Sequence, residues 1–253
     1  MLECRGLTLA AQGRTLCRDL GVRVGRGEFW AVLGPNGSGK TTLMHALAGV
    51  RKPEAGEITW SGSPLGGLTP RERARHLALL PQHDESEFWG TVLEYVLLGR
   101  YPRAAHRLAW DEDDLRHAEA ALGQTGIAEL AGRDYDMLSG GERQRVRIAQ
   151  LLAQDADCLL LDEPLQHLDL NHQGRAIALL RQLADGGHSI VMVLHDALWA
   201  ARSCTHALLI GHDGEATSGA AQEVLTRAAL ERLYGCGLRE FVADGSRYIM
   251  PEI

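Results

Sequence analysis

Apolar and polar positions change rhythm several times along this chain. Residues 2–9 alternate, Gly13-Arg14 marks a turn, and 22–24 and 28–33 continue as strand-like runs. Phe29-Trp30-Ala31-Val32-Leu33 is apolar throughout and closes on Gly34-Pro35, the pattern of a buried strand entering a loop. Residues 41–48 read as a helix ended by Gly49, 56–60 as a strand and 62–67 as loop. From about Gln82 the texture turns helical, at 91–98, 111–122 and 125–131, with Gly90, Pro102, Gly123 and Gly132 as punctuation. A longer helix over 139–153 carries Val146, Ile148, Ala149, Leu151 and Leu152. Buried-strand runs follow at 158–161, 189–194 and 207–210, separated by helical stretches that include 197–202, as in a parallel sheet. Residues 236–253 read as a small strand-like tail.

These periods predict an α/β fold: a parallel sheet, an N-terminal antiparallel β subdomain and an inserted helical subdomain. We divide the single domain into a core of 1–82 and 139–235, a helical insert of 83–138 and a tail of 236–253. Composition narrows the class. The 253 residues carry a net charge of −7, which argues against a nucleic-acid groove. The five cysteines are scattered and lack a C-x-x-C, as expected of reduced thiols in a cytosolic compartment. No apolar run reaches the ~18–20 residues of a membrane span, and the first residues lack a secretory signal. A soluble protein is expected, meeting any membrane through a partner.

The run Gly34-Pro35-Asn36-Gly37-Ser38-Gly39-Lys40-Thr41-Thr42 fits G-x-x-x-x-G-K-[ST] between a strand and a helix. Its glycines let several backbone N–H groups face one anion, Lys40 adds a charge for β- and γ-phosphates, and the Thr41 hydroxyl can ligate Mg²⁺. Cys158-Leu-Leu-Leu-Asp162-Glu163-Pro164 is an apolar strand ending in two acids. Asp162 there is expected to answer a Mg²⁺ on the phosphate loop, and Glu163 to deprotonate an attacking water. The next apolar strand ends at His195, placed to bond a γ-phosphate or position water. Gln82 can reach Mg²⁺ or that water through its amide carbonyl. A second anion site opens the 139–153 helix: Ser139 with Glu142 fits a capping box, followed by Gly140 and Gly141. One nucleotide does not need both sites from one chain.

Taken together these segments resemble the ATP-binding-cassette ATPase family, over nearly the whole chain. GPNGSGKTT (34–42) is similar to Walker A, Gln82 to the Q-loop, LSGGERQR (138–145) to the signature and LLLDEP (159–164) to Walker B. His167-Leu168-Asp169 is similar to the D-loop and His195 to the switch histidine. The resemblance implies a P-loop NTPase core, Mg²⁺-dependent ATP hydrolysis and a head-to-tail dimer with a second copy. In that dimer Ser139, Gly140 and Gly141 face the partner's γ-phosphate and Asp169 crosses the interface. One position departs from the pattern: Ala11 stands where the family usually stacks adenine on an aromatic ring.

Leu97-Leu98-Gly99-Arg100-Tyr101-Pro102, the stretch from His167 to Gln173, and Tyr234-Gly235 resemble ATPases of metal-chelate importers, cobalamin or ferric siderophore before haem. That resemblance implies integral membrane permease subunits, a periplasmic or extracellular substrate-binding protein, and a place on the cytoplasmic face of the inner (plasma) membrane. A non-transport regulatory or scaffold cassette and an exporter cassette are the alternatives. Phe88 and Trp89, apolar in a polar loop after Asp84-Glu-Ser-Glu87, are expected to touch a membrane subunit's cytoplasmic helix.

Overall fold

The computed structural model describes residues 1–11, 13–83, 87–104, 109–243 and 246–252. β1 (Leu2–Ala11) and β2 (Arg14–Val24) pair antiparallel, with Leu2, Cys4, Leu7 and Leu9 of β1 buried on one face. β3 (Phe29–Leu33) is buried at every position and leads through the phosphate loop into α1 (Lys40–Leu47). β4 (Ala55–Trp60) pairs with β1, and β5 (Ser63–Pro64) completes a four-stranded sheet of order β2-β1-β4-β5. A Thr69–Glu72 capping box starts α2 (Pro70–His76), which runs straight into β6 (Leu77–Leu80).

The helical region holds α3 (Val92–Leu97), α4 (Glu112–Gln124) and α5 (Gly140–Ala153), each opened by a capping box, at Thr91, Asp111 and Ser139. The chain continues through β7 (Cys158–Asp162), α6 (Leu170–Asp185), β8 (Ser189–Val193), α7 (Ala197–Ser203) and β9 (His206–Ile210). It ends with β10 (Ala216–Ala220), α8 (Ala221–Val224), α9 (Arg227–Tyr234), β11 (Leu238–Ala243) and β12 (Ser246–Pro251).

The central sheet has the order β10-β9-β3-β8-β7-β6, parallel except for β10, which lies antiparallel to β9. β3, β7 and β8 are buried at every position because both faces of the sheet are covered there. Phe29, Ala31 and Leu33 face a cluster with α5, α6 and α7, whereas Trp30 and Val32 face one with α1 and the antiparallel sheet. A third cluster gathers Val92, Tyr95, Ala118 and Leu122 with Val146 and Ala149 of α5. The other face of α5, Ile148 and Leu151, packs in the first cluster, so one helix joins the helical region to the sheet.

Several expected elements differ. Residues 125–131 are not a helix. Gly126 takes a left-handed φ of +66°, the Thr125 hydroxyl donates back to the Ala121 carbonyl at 3.0 Å, and only a 3₁₀ turn remains at Ala128–Leu130. The expected loop at 62–67 contains β5 and a 3₁₀ turn. α2, β10, α8 and α9 have no counterpart in the sequence reading.

The LLGRYP stretch is a packing device. A Cβ on Gly99 would lie 2.2 Å from the Gln150 carbonyl oxygen, so only glycine lets this turn meet α5. Arg100 and Asp114, each with a side chain 4% exposed, pair at 3.0 Å (Nε to Oδ1), and Arg100 Nη1 donates to the Ala153 carbonyl at 2.9 Å. Arg100→Met keeps the bulk but leaves the Asp114 carboxylate buried without its cation. It should cost about 3–5 kcal/mol of unfolding free energy, read as a lowered midpoint in urea.

Candidate functional site

Four strand ends build the site. β3 delivers the phosphate loop, where close approach dictates glycine: a Cβ on Gly34 would lie 2.4 Å from the Ile210 carbonyl oxygen and 2.7 Å from Ser38 Oγ. Gly37 and Gly39 take φ of +76° and +101°. The buried Lys40 donates from Nζ to the carbonyls of Gly34 (2.8 Å) and Pro35 (3.0 Å), which hold its ammonium over the loop. Burial pushes the Lys40 pKa below its ordinary value, against the pull of Glu163 and Asp162.

β7 ends at Asp162, which is 1% exposed, and neither of its carboxylate oxygens has a hydrogen-bond partner among the described residues. Burial pushes its pKa up, and the nearby Thr41 hydroxyl pulls the other way. A buried carboxylate left unpaired is costly. Two free carboxylate oxygens beside a threonine hydroxyl form a hard, all-oxygen donor set that fits Mg²⁺.

Glu163 is buried with a left-handed φ of +53°. Its Oε1 lies 2.6 Å from Nε2 of His195, which follows β8 and is half exposed. Its Oε2 accepts from the Gln166 side-chain amide. Gln82, just past β6, joins Glu163 and His195 on one open cleft of about 770 Å³ with Asn36, Gly37 and Gly39 through Thr42. Ala11, Arg14 and Leu16 line the same cleft, and the Leu16 Cβ would sit 2.7 Å from a Cβ on Gly39.

Ser139, Gly140, Gly141 and Asp169 do not line this cleft. Ser139 and Gly140 are exposed at the start of α5, where the expected capping box is present: Ser139 N and Oγ donate to Glu142 Oε2 at 2.8 and 2.6 Å. A Cβ on Gly141 would lie 3.1 Å from the His167 carbonyl oxygen, so this helix start abuts the segment before α6. Asp169 is exposed and caps α6, accepting from the His172 N–H at 2.8 Å. Phe88 and Trp89 part ways: Phe88 packs edge-on to Tyr95 and Tyr135 (5.3 and 5.9 Å between centroids), while Trp89 is 79% exposed. Asp84, Glu85 and Ser86 of that loop lie outside the described residues.

Sequence reasoning missed Arg14, Leu16 and Gln166, which line the cleft. It also missed Gln144 and Arg147 of α5: Gln144 Nε2 donates to the Pro164 carbonyl at 2.8 Å, and Arg147 Nη1 to Gln144 Oε1 at 2.9 Å. Arg147 also donates to the Pro81 carbonyl. The helix opened by Ser139 is thus tied to the backbone beside both Glu163 and Gln82. Polar residues three apart within an apolar helical stripe are the signal that could have found this last pair.

Residues 17–166 match the family model described as ABC transporter. The chain belongs to this family. It is similar to the hemin import ATP-binding protein HmuV of Pseudomonas entomophila, 41% identical over 93% of this chain and 92% of that one. It is also similar to the ferric enterobactin transport ATP-binding protein FepC of Escherichia coli, 35% identical over 97% of this chain and 92% of that one. Its backbone matches, with a TM-score of 0.86 and 27% identity, a chain of a transporter assigned to the metal-chelate type in an inward-facing conformation, covering 100% of this chain and 97% of that one. As a member of the family the chain is an ATP-hydrolysing cassette with the α/β P-loop fold.

Proposed function

We propose that this cassette drives a membrane importer for a metal chelate: cobalamin, a ferric siderophore or haem. Relatives named for hemin and ferric enterobactin transport, similar across almost the full chain, support the importer reading. The observation that carries the chemistry is the Glu163–His195 pair beside the unpartnered Asp162, at the mouth of the phosphate-loop cleft.

The amides of residues 34–42 and the Lys40 ammonium bind the ATP phosphates. Thr41 and Asp162 would hold Mg²⁺, with Gln82 able to offer it an amide oxygen. When bound, the ion neutralises charge on the β- and γ-phosphate oxygens. Glu163 takes the proton of the attacking water while His195 and Gln82 position that water. Ala11, Arg14 and Leu16 line the same cleft, and in our reading they meet the adenine in place of the missing aromatic ring.

Two copies close head to tail. Ser139, Gly140 and Gly141 of one copy reach the γ-phosphate on the other, and Asp169 crosses between them. The exposure of Ser139, Gly140 and Asp169 outside their own cleft supports this arrangement. Closure moves permease subunits between inward- and outward-facing states, with a substrate-binding protein delivering the chelate. No helix of the described residues is long and apolar enough to cross a membrane, and we place the cassette on the cytoplasmic face through its permease. Deleting the gene should abolish uptake of one of the three chelate classes in whole-cell assays. Unchanged uptake of all three overturns the proposal.

Trp89 is the proposed contact to the permease, held outward by its anchored neighbour Phe88. An exposed Trp entering a partner's groove is worth about 2 kcal/mol or more. Trp89→Ala should therefore weaken assembly with the permease by about thirtyfold or more and lower transport-coupled ATPase activity in the assembled complex. Coupled activity at the unsubstituted level would count against this contact.

A further inference from the structure

We propose that Gln166 is a positioning residue that holds the Glu163 carboxylate facing the nucleotide. Glu163, Gln166 and His195 line two cavities at once: the open nucleotide cleft, and a second cavity of about 250 Å³ behind it, bounded also by Asp196 and Trp199. The three side chains are the wall between them. His195 engages Oε1 of Glu163 and the Gln166 amide donates to Oε2, so each carboxylate oxygen has its own anchor.

The second pocket, open on the other side of these side chains, explains why two anchors are needed. A side chain with empty space on one side gains rotamer freedom by swinging into it, and a few tenths of an ångström of misplacement is enough to slow a proton transfer. The Glu163 backbone is itself in the left-handed region, so its direction is not that of an ordinary strand end. His195 is half exposed and fixes one oxygen alone, which leaves the carboxylate free to turn about that contact. The Gln166 amide removes this freedom. Gln166 sits on the turn just after Glu163, with its N–H donating to the Glu163 carbonyl at 3.3 Å, so the anchor moves with the residue it holds.

The inference rests on Glu163 being the general base. Gln166→Ala and Gln166→Met, the second of similar length but without a donor, are measured for kcat, KM and Mg-ATP affinity, alone and in the Glu163→Gln background. Both should lower kcat by about tenfold with KM and affinity within about twofold, and neither should lower the residual rate of Glu163→Gln further. Gln166→Met with full kcat overturns the inference, as does a loss that multiplies with that of Glu163→Gln or one carried by KM. If Glu163→Gln itself turns over normally, the assignment of the base fails instead, and the two failures are told apart by that single control.

Discussion

Glu163→Gln should bind Mg-ATP as the unsubstituted protein does, yet hydrolyse it some 10²–10⁴ times more slowly. The substitution conserves shape but removes the carboxylate that we assign to take a proton from water. Asp162, the neighbouring carboxylate, is committed to Mg²⁺ in our reading and lies buried below the cleft surface. A thousandfold loss corresponds to about 4 kcal/mol of transition-state stabilisation, well within what one general base supplies. Binding is spared because Lys40 and the loop amides are untouched. Removing a negative charge beside the γ-phosphate site favours the triphosphate state. With the forward reaction blocked, ATP should accumulate between two chains, and size-exclusion chromatography in ATP and Mg²⁺ should show a stable dimer that falls apart in ADP. Hydrolysis at the normal rate would remove Glu163 from the mechanism.

How much of this was legible in the sequence depends on whether a residue's role is set locally. The phosphate loop was legible because Gly34, Gly37 and Gly39 are demanded by backbone conformation and close approach, and such demands leave glycine in the sequence. β3, β7 and β8 were legible because a strand covered on both faces is apolar throughout. Asp162 and Glu163 stood out as charges at the end of such a run. Gln166 looked like any loop glutamine: its meaning lies in facing a carboxylate three residues earlier, across a turn that propensities do not specify. The roles of Gln144 and Arg147 went unread for a related reason, since their acceptors, the carbonyls of Pro164 and Pro81, come from distant parts of the chain.

Local signals also misled. The apolar spacing over 125–131 suits a helix, but the left-handed Gly126 turns the chain before one can form. Other residues did more than their local pattern announced: Arg100, within the stretch that resembles metal-chelate importers, also neutralises Asp114 in the helical cluster. Phe88 and Trp89, adjacent and alike in sequence, divide into an anchor and an exposed ring. Pattern alone could not say which was which.

Ser139→Arg should leave nucleotide binding by the monomer largely intact and abolish both dimer closure and hydrolysis. Ser139 is exposed and absent from its own cleft, so a bulky guanidinium there does not obstruct ATP in cis. It would fill the space that the partner's γ-phosphate must enter. Ser139→Ala separates this from simple loss of the helix cap: it removes the bond to Glu142, at a cost of about 1 kcal/mol, without adding bulk. The decisive measurement mixes two inactive chains. Ser139→Arg retains a working phosphate loop and Lys40→Ala retains a working signature. In a two-fold dimer each site pairs the phosphate loop of one chain with the signature of the other. A mixed dimer therefore contains one fully native site and one doubly defective site. Random mixing should restore up to about a quarter of the normal rate, since half the dimers are mixed and each has one of two sites. If the signature served its own chain's nucleotide, every site in every dimer would carry a defect and mixing would restore nothing.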